Sequence, residues 1–247
     1  MTSKTIFGVR VDIPDRELSE VIAEGIGMRG NLIVPLNTRK LLMLRKKKNK
    51  ALRDIVNNAY LVLPSDRFVA WALRFLYRQY VPIVPENVLL NKIFSFADKK
   101  GLSFFIFGAD EEHLIALQRG VKRLFPSLNI VGSYREKIPN GWEEKVREGI
   151  RKSDATFFLT FLRFPKDVLF INEHKDELRL VYYAGCEEGL NRYSGRIKPS
   201  PDWAVDRKLE WLSDIIARPY RVFRVFRYLG LAFHVFRERL MGKRSKT

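Results

Sequence analysis

Six short runs of this chain are apolar along nearly their whole length, with polar residues only at their ends, and helix-period stretches separate them. The runs fall at 32–34, 60–63, 103–107, 129–131, 156–160 and 179–183. A strand with one wet face alternates apolar and polar side chains, whereas a strand apolar at every position needs cover on both faces. The intervening segments, near 38–58, 67–78, 86–99, 111–124, 142–152 and 166–177, place apolar side chains at helical spacing. Buried strands alternating with helices predict an α/β fold, a mostly parallel sheet with helices on both faces. Ligands of such sheets bind beyond the carboxyl ends of the strands. The loops expected there are Pro35-Leu36-Asn37, Pro64-Ser65-Asp66, Gly108-Ala109-Asp110 and Phe161 to Pro165. No internal repeat or low-complexity linker interrupts the pattern. One α/β domain is expected over 1–195, followed by a helical appendage over 196–247.

Charge narrows the set of partners. Lysine and arginine outnumber aspartate and glutamate 45 to 28, a net charge of +17, which calls for a polyanionic neighbour: nucleic acid, anionic lipid or a phosphorylated substrate. The appendage carries the sharpest signal. On a helical wheel Val222, Val225, Phe226, Leu229, Phe233, Phe236 and Leu240 form one stripe, with Arg221, Arg224, Arg227, His234, Arg237 and Arg239 beside or opposite it. Such a helix suits the headgroup layer of an anionic membrane; it equally suits a terminal helix that packs its stripe on the domain and leaves its arginines in water. The run Arg45-Lys46-Lys47-Lys48-Asn49-Lys50 is expected at a helix end, as a solvated face or a further lipid contact. Nucleic acid ranks last, since no helix-turn-helix, zinc-finger or RNA-recognition signature accompanies the charge. The N-terminal ten residues lack the apolar core of a signal peptide, and no apolar stretch reaches the ~18 residues needed to cross a bilayer. The single cysteine, Cys186, excludes an internal disulfide framework and fits a reducing cytoplasm.

Few residues announce chemistry on their own. Phe104 to Asp110 reads strand, glycine turn and helix start, with Asp110 as N-cap; backbone amides at such a mouth can hold a phosphate, and an ordinary βα turn reads the same way. His113, His174 and His234 lie on different helices without metal-ligand spacing, and no nucleophile elbow is present. No metal and no cofactor are expected.

Several segments together resemble the WecG/TagA/CpsF family of bacterial glycosyltransferases. Asn58-Ala59-Tyr60-Leu61-Val62-Leu63-Pro64, followed by Trp71-Ala72 and Arg74, is similar to the family's Ala-Asp-Leu-Val-Leu-Pro-Asp-Gly block and its following helix. Phe107-Gly108 through Phe125-Pro126-Ser127-Leu128-Asn129-Ile130-Val131-Gly132 resembles its glycine turn, helix and next strand, and Pro165-Lys166 the start of a Pro-Lys-Gln-Glu element. Gly195-Arg196-Ile197-Lys198, Pro201, Trp203, Leu209-Glu210-Trp211 and Arg218-Pro219-Tyr220-Arg221 follow the order of its C-terminal blocks. The likeness runs from Gly8-Val9 onward.

The resemblance implies a Rossmann-like fold with a helical, membrane-associating C-terminal appendage. It implies transfer of an N-acetylhexosamine from a UDP-sugar to a polyprenyl-diphosphate-linked sugar, at the cytoplasmic face of the cell membrane. It assigns Asn37 and Ser65 to sugar binding and Gly108 and Lys166 to the leaving nucleotide. Arg218, Arg221 and Arg224 fall to the lipid diphosphate, which the arginine fork matches. The departures touch the chemistry. Without a gap, the family's catalytic aspartate falls on Ser65 and its glycine on Asp66, which leaves Asp66 as candidate base only if the loop re-aims it, because one residue of slip moves a side chain ~3.5 Å. Pro35 replaces a threonine, Asn87 and Leu90 an arginine and a glycine, Asp167-Val168 the Gln-Glu pair, and Gly185 to Asn191 a glycine-rich segment. Asp167 and Glu187 are the other carboxylates in reach of a base role. Two readings therefore stand, an active glycosyltransferase and a pseudoenzyme that keeps fold and membrane helix as a partner in polysaccharide assembly. Homo-oligomerisation is left open.

Overall fold

The computed structural model of the chain describes residues 1–15, 17–27, 31–134, 142–178, 180–184, 187–196, 207 and 223–240. Along the chain run β1 (Thr2–Ile6), β2 (Val9–Ile13), α1 (Leu18–Gly27), β3 (Leu32–Leu36), α2 (Thr38–Leu44), α3 (Lys50–Asn57), β4 (Leu61–Pro64), α4 (Arg67–Tyr77) and α5 (Glu86–Lys100). There follow β5 (Ser103–Phe107), α6 (Glu111–Leu124), β6 (Asn129–Tyr134), α7 (Trp142–Ser153), β7 (Phe157–Thr160), α8 (Lys166–Leu178), β8 (Val181–Tyr183), α9 (Glu187–Tyr193) and α10 (Phe223–Leu240). Every run expected as a strand is one. They form a six-stranded sheet in the order β4-β3-β8-β7-β5-β6, parallel throughout.

Side chains alternate between two cores, one on each face. Val62, Phe105, Phe107, Phe158 and Tyr182 point into the core under α2, α4, α7, α8 and α10. Leu61, Leu63, Phe104, Ile106, Phe157 and Tyr183 point into the core under α1, α5, α6 and α9. Their burial explains why the six strands of the sheet carry no charged positions, since each large apolar side chain removed from water stabilises by about 2 kcal/mol. Stacked rings stitch the sheet sideways, Phe104 on Phe157 at 4.9 Å and Phe105 on Phe158 at 6.3 Å.

Three features depart from the sequence expectation. Strands β1 and β2 form an antiparallel hairpin through a tight turn at Phe7 (φ 53°) and Gly8 (φ 77°); no strand was expected there, since β1 is polar from Thr2 to Thr5 and the apolar alternation of β2 spans only Val9 to Ile13. The hairpin shields the β4 edge through a side chain: Asp12, 2% exposed, accepts Val62 N–H at 2.8 Å. The helix expected over 38–58 is broken between α2 and α3 by a 3-10 turn at Lys47–Asn49, so the basic run spans a helix end and the next helix start. The proline of β3 lies inside the sheet, where a missing N–H normally costs a ladder bond. Here Ile33 O accepts Ala184 N–H, so Pro35 faces the same neighbour two residues on, past the end of β8.

Helix α10 lies across α2 and α4. Leu231 and Val235, both fully buried, face the domain. Arg239 donates to Phe75 O at 3.0 Å, and Phe7 N–H donates to Glu238 at 3.4 Å. The opposite face is exposed: Phe226, Leu229, Phe233, Phe236 and Leu240 are 49–86% accessible to solvent. The expected stripe therefore exists, and over its described residues it points to solvent; Val222 and the side chain of Val225 lie outside the described residues.

Gly120 fixes the spacing between α6 and α9, because a Cβ there would lie 1.8 Å from Tyr193 O, a main-chain atom that cannot rotate away. Alanine ordinarily stabilises a helix interior relative to glycine by about 1 kcal/mol. Gly120→Ala is expected to reverse that sign and destabilise by about 2 kcal/mol or more, read as a lower denaturant midpoint. A midpoint at or above that of the parent protein would show that the two helices do not approach so closely.

A cleft ringed by helix N-termini

Neighbouring strands β3 and β8 send their following helices to opposite faces, α2 to one core and α9 to the other. The sheet is thereby left open at its carboxyl edge, the position where α/β folds hold ligands. A cleft of about 390 Å³ occupies that opening. Asn37 and Thr38 at the start of α2, Ser65 and Asp66 at the start of α4, and Pro85, Glu86 and Asn87 at the start of α5 form its floor and walls. Gly189 and Arg192 of α9 close one side, Arg227 and Tyr228 of α10 the other, and Arg39 stands at the rim.

Asp66 joins two of these helix mouths. Its Oδ1 accepts Val69 N–H at 2.8 Å, capping α4, and its Oδ2 accepts Thr38 N–H at 2.6 Å, holding the first turn of α2. Each oxygen keeps a further lone pair. Asn37 caps α2 through its side-chain oxygen on Lys40 N–H at 3.0 Å. Behind them Lys40, 4% exposed, donates to Pro35 O at 2.7 Å and pairs with Glu86 at 3.4 Å over the Phe164 ring. The carbonyl of the misplaced proline, pointing past the end of β8, is thus satisfied by a lysine. Three arginines against two carboxylates, with the helix dipoles of α4 and α5 adding partial positive charge, make the cleft a receptor for an anion.

Asn37, Ser65 and Asp66 line the same cleft. Gly108 is not beside them: it follows β5, three strand spacings or about 14 Å along the sheet from β3 and four or about 19 Å from β4. Its φ of 93° makes the turn, and its N–H donates to Tyr134 O at 2.8 Å. Asp110 caps α6 through His113 N–H at 2.8 Å and meets Arg196 at 3.2 Å; the His113 amide, with the His113 ring and Arg196, holds its carboxyl below the usual range. His113 and His174 are buried packing residues. Lys166 begins α8, exposed and outside the cleft lining; Asp167 is buried in the following position. Glu187 pairs with Arg163 at 3.0 Å. Arg218 and Arg221 lie outside the described residues, as does the side chain of Arg224, whose backbone belongs to α10. Among the described residues no group of three His, Cys, Asp or Glu side chains is arranged to hold a metal ion.

Arg39, Lys40, Glu86, Arg192 and Tyr228 went unmarked in the sequence, and Arg227 stood there only as one flank of a stripe. Each is an ordinary polar residue on an amphipathic helix, and only the convergence of five helices reveals it. Asn87 drew notice solely as a departure from the family pattern.

The N-acetylglucosaminyldiphosphoundecaprenol N-acetyl-beta-D-mannosaminyltransferase of Bacillus subtilis (strain 168) is 20% identical to this chain over 200 residues, covering 81% of the chain and 76% of the relative. The model of the glycosyl transferase WecG/TagA/CpsF family matches residues 4–245, from the first hairpin through the whole of α10, and on that match the chain belongs to this family of glycosyltransferases.

Proposed function

We propose that this protein moves a hexosamine-type sugar from a UDP-sugar to a polyprenyl-diphosphate-linked sugar in cell-surface polysaccharide biosynthesis, working as a peripheral protein on the cytoplasmic face of the cell membrane. The observation that carries the reading is the placement of α10. Its inner flank puts Arg227 and Tyr228 into the anion-receptive cleft while its outer face is an exposed apolar stripe. A lipid diphosphate needs a cationic grip at its head and an apolar surface at its tail, and one helix offers both. Among the described residues no helix is long and apolar enough to cross a membrane, and an interfacial helix does not need to be.

In this reading Asp66 is the general base. It takes the proton of the acceptor hydroxyl as that oxygen attacks the anomeric carbon, and the bond to UDP breaks with its electron pair leaving on the diphosphate. Configuration inverts, and no covalent enzyme intermediate forms. Asn37 and Ser65 orient the sugars across the cleft. The turn at Gly108 and the side chain of Lys166 approach the nucleotide diphosphate from the β5 and β7 ends. Arg227, with Arg218, Arg221 and Arg224, neutralises the lipid diphosphate, using paired charge-assisted hydrogen bonds.

One observation favours the pseudoenzyme reading: both oxygens of Asp66 already serve helix caps. UDP release from a UDP-sugar in the presence of a short-chain prenyl-diphosphate sugar separates the two, because the pseudoenzyme releases none. Asp66→Asn keeps an oxygen for one cap and is expected to lower kcat by about 10²–10⁴-fold with the fold retained by circular dichroism. Full turnover in that variant, with loss in Glu86→Gln, would move the base to Glu86.

Removing Arg227 should act on binding instead. Arg227→Ala is expected to raise the acceptor KM about tenfold or more, the loss of a charge-assisted contact of roughly 1.5–3 kcal/mol, with the donor KM unchanged. An unchanged acceptor KM would take Arg227 out of the diphosphate grip.

A further inference from the structure

The stripe on α10 does not end at that helix. Phe68 and Trp71 of α4 are 38% and 37% exposed, and with Phe75 they sit at helical spacing on the outer side of α4. Their rings continue the surface of α10 without a break. Phe68 stacks on Tyr228 at 3.8 Å, Trp71 lies 5.6 Å from Phe75 and 6.3 Å from Phe236, and Phe75 lies 4.9 Å from Phe236. The apolar face starts beside the cleft, where Phe226 and Leu229 flank the cleft-lining Arg227 and Tyr228, and it extends about 21 Å along α10 to Leu240.

Cations stand beside α10, at the end of α2, on which it packs. The Arg45 guanidinium lies 5.9 Å from the Phe7 ring, and that ring is 6.3 Å from His234 in the distal half of α10. The exposed Lys46, Lys47 and Lys48 follow directly. Arg237 is exposed along the edge of the stripe itself. An apolar face of this size on a protein of charge +17, carrying a half-exposed tryptophan and borne by a helix packed on α2, whose end leads into an exposed lysine cluster, has the composition of a surface that lies in the headgroup layer of an anionic bilayer. A second protein would more commonly meet an interface depleted in lysine.

We infer that the membrane footprint is composite: the outer face of α4, through Phe68 and Trp71, and the lysine turn Lys46 to Lys48 enter the bilayer surface together with α10. This rests on the membrane setting proposed above and goes beyond it, because it fixes how the domain sits. With two helices in contact the α/β domain cannot swing on its tail. The cleft, opening between the first turns of α4 and α10, is held at headgroup height, where a lipid-linked diphosphate is found.

Co-sedimentation of the full chain with vesicles of phosphatidylglycerol and phosphatidylcholine in equal parts, and of phosphatidylcholine alone, tests this. The parent protein is expected on the anionic vesicles only, and Phe226→Asp with Phe233→Asp is expected to abolish binding. Trp71→Glu, outside the appendage, should weaken it about tenfold or more. Lys46→Glu, Lys47→Glu and Lys48→Glu together should weaken it on the order of a hundredfold and remove its salt sensitivity. Ile115→Glu, on exposed α6 across the sheet, should change nothing, and unaltered thermal midpoints verify that each variant is folded. A parent that binds while Trp71→Glu and the lysine variant bind equally well overturns the composite footprint and leaves a tail-only attachment. A parent that ignores both vesicles overturns the membrane setting itself. A concentration-dependent dimer that Trp71→Glu dissolves, with no vesicle binding, would reassign the face to a second copy of the chain.

Discussion

Two helix N-termini share one carboxylate, and the geometry of the cleft follows from that clamp. Asp66 accepts one backbone N–H from α4, whose cap it is, and another from α2, which belongs to the neighbouring strand. Each helix end leaves orphan donors that need an acceptor. A single anion that serves both fixes the separation of the helix starts, and with it the positions of Asn37, Ser65 and Thr38. The clamp joins helices of one face, beside the point where the sheet is already open between β3 and β8, whose helices depart to opposite faces. Topology supplies the hollow, and the carboxylate sets its shape.

Around that clamp the charges are graded by burial. Lys40 is sealed behind the cleft wall, held by the carbonyl of Pro35 and by Glu86. Arg39, Arg192 and Arg227 reach the cavity from three different helices. A buried ion pair brings little net stability once desolvation is counted. The arrangement suits a site that must grip a diphosphate and release a nucleotide. Helix α10 ties this electrostatic site to an apolar surface, because the successive residues Phe226 and Arg227, about 100° apart on its wheel, face solvent and cleft in turn.

Much of the scaffold was legible beforehand. Runs such as Phe104 to Phe107 and Phe157 to Leu159 cannot be one-sided strands, so the parallel sheet with two covered faces followed from them directly. The stripe of α10 was equally plain, but its direction was not, since periodicity defines a face without saying what meets it. Leu231 and Val235, two modest side chains opposite the stripe, turned out to be the buried ones. The β1–β2 hairpin escaped because its turn is Phe7-Gly8 and its outer strand is polar, and it is held in place by Asp12 and Val62, which lie far apart in the chain.

The sequence alone determined the six strands of the sheet, their alternation with helices, the family and the amphipathic character of the last helix, because these depend on local periodicity and on patterns of neighbouring residues. It also offered Asp66 as a carboxylate one position away from where the family keeps its own. Only the tertiary structure decided that Asp66 lies in the cleft beside Asn37, that Gly108 lies about 14 Å from β3 along the sheet, and that Arg39, Arg192 and Arg227 converge. These are meetings between helices separated by up to most of the chain, and no local signal records them. Their positions are set by which face of the sheet each connection crosses, a choice made by the packing of the whole domain.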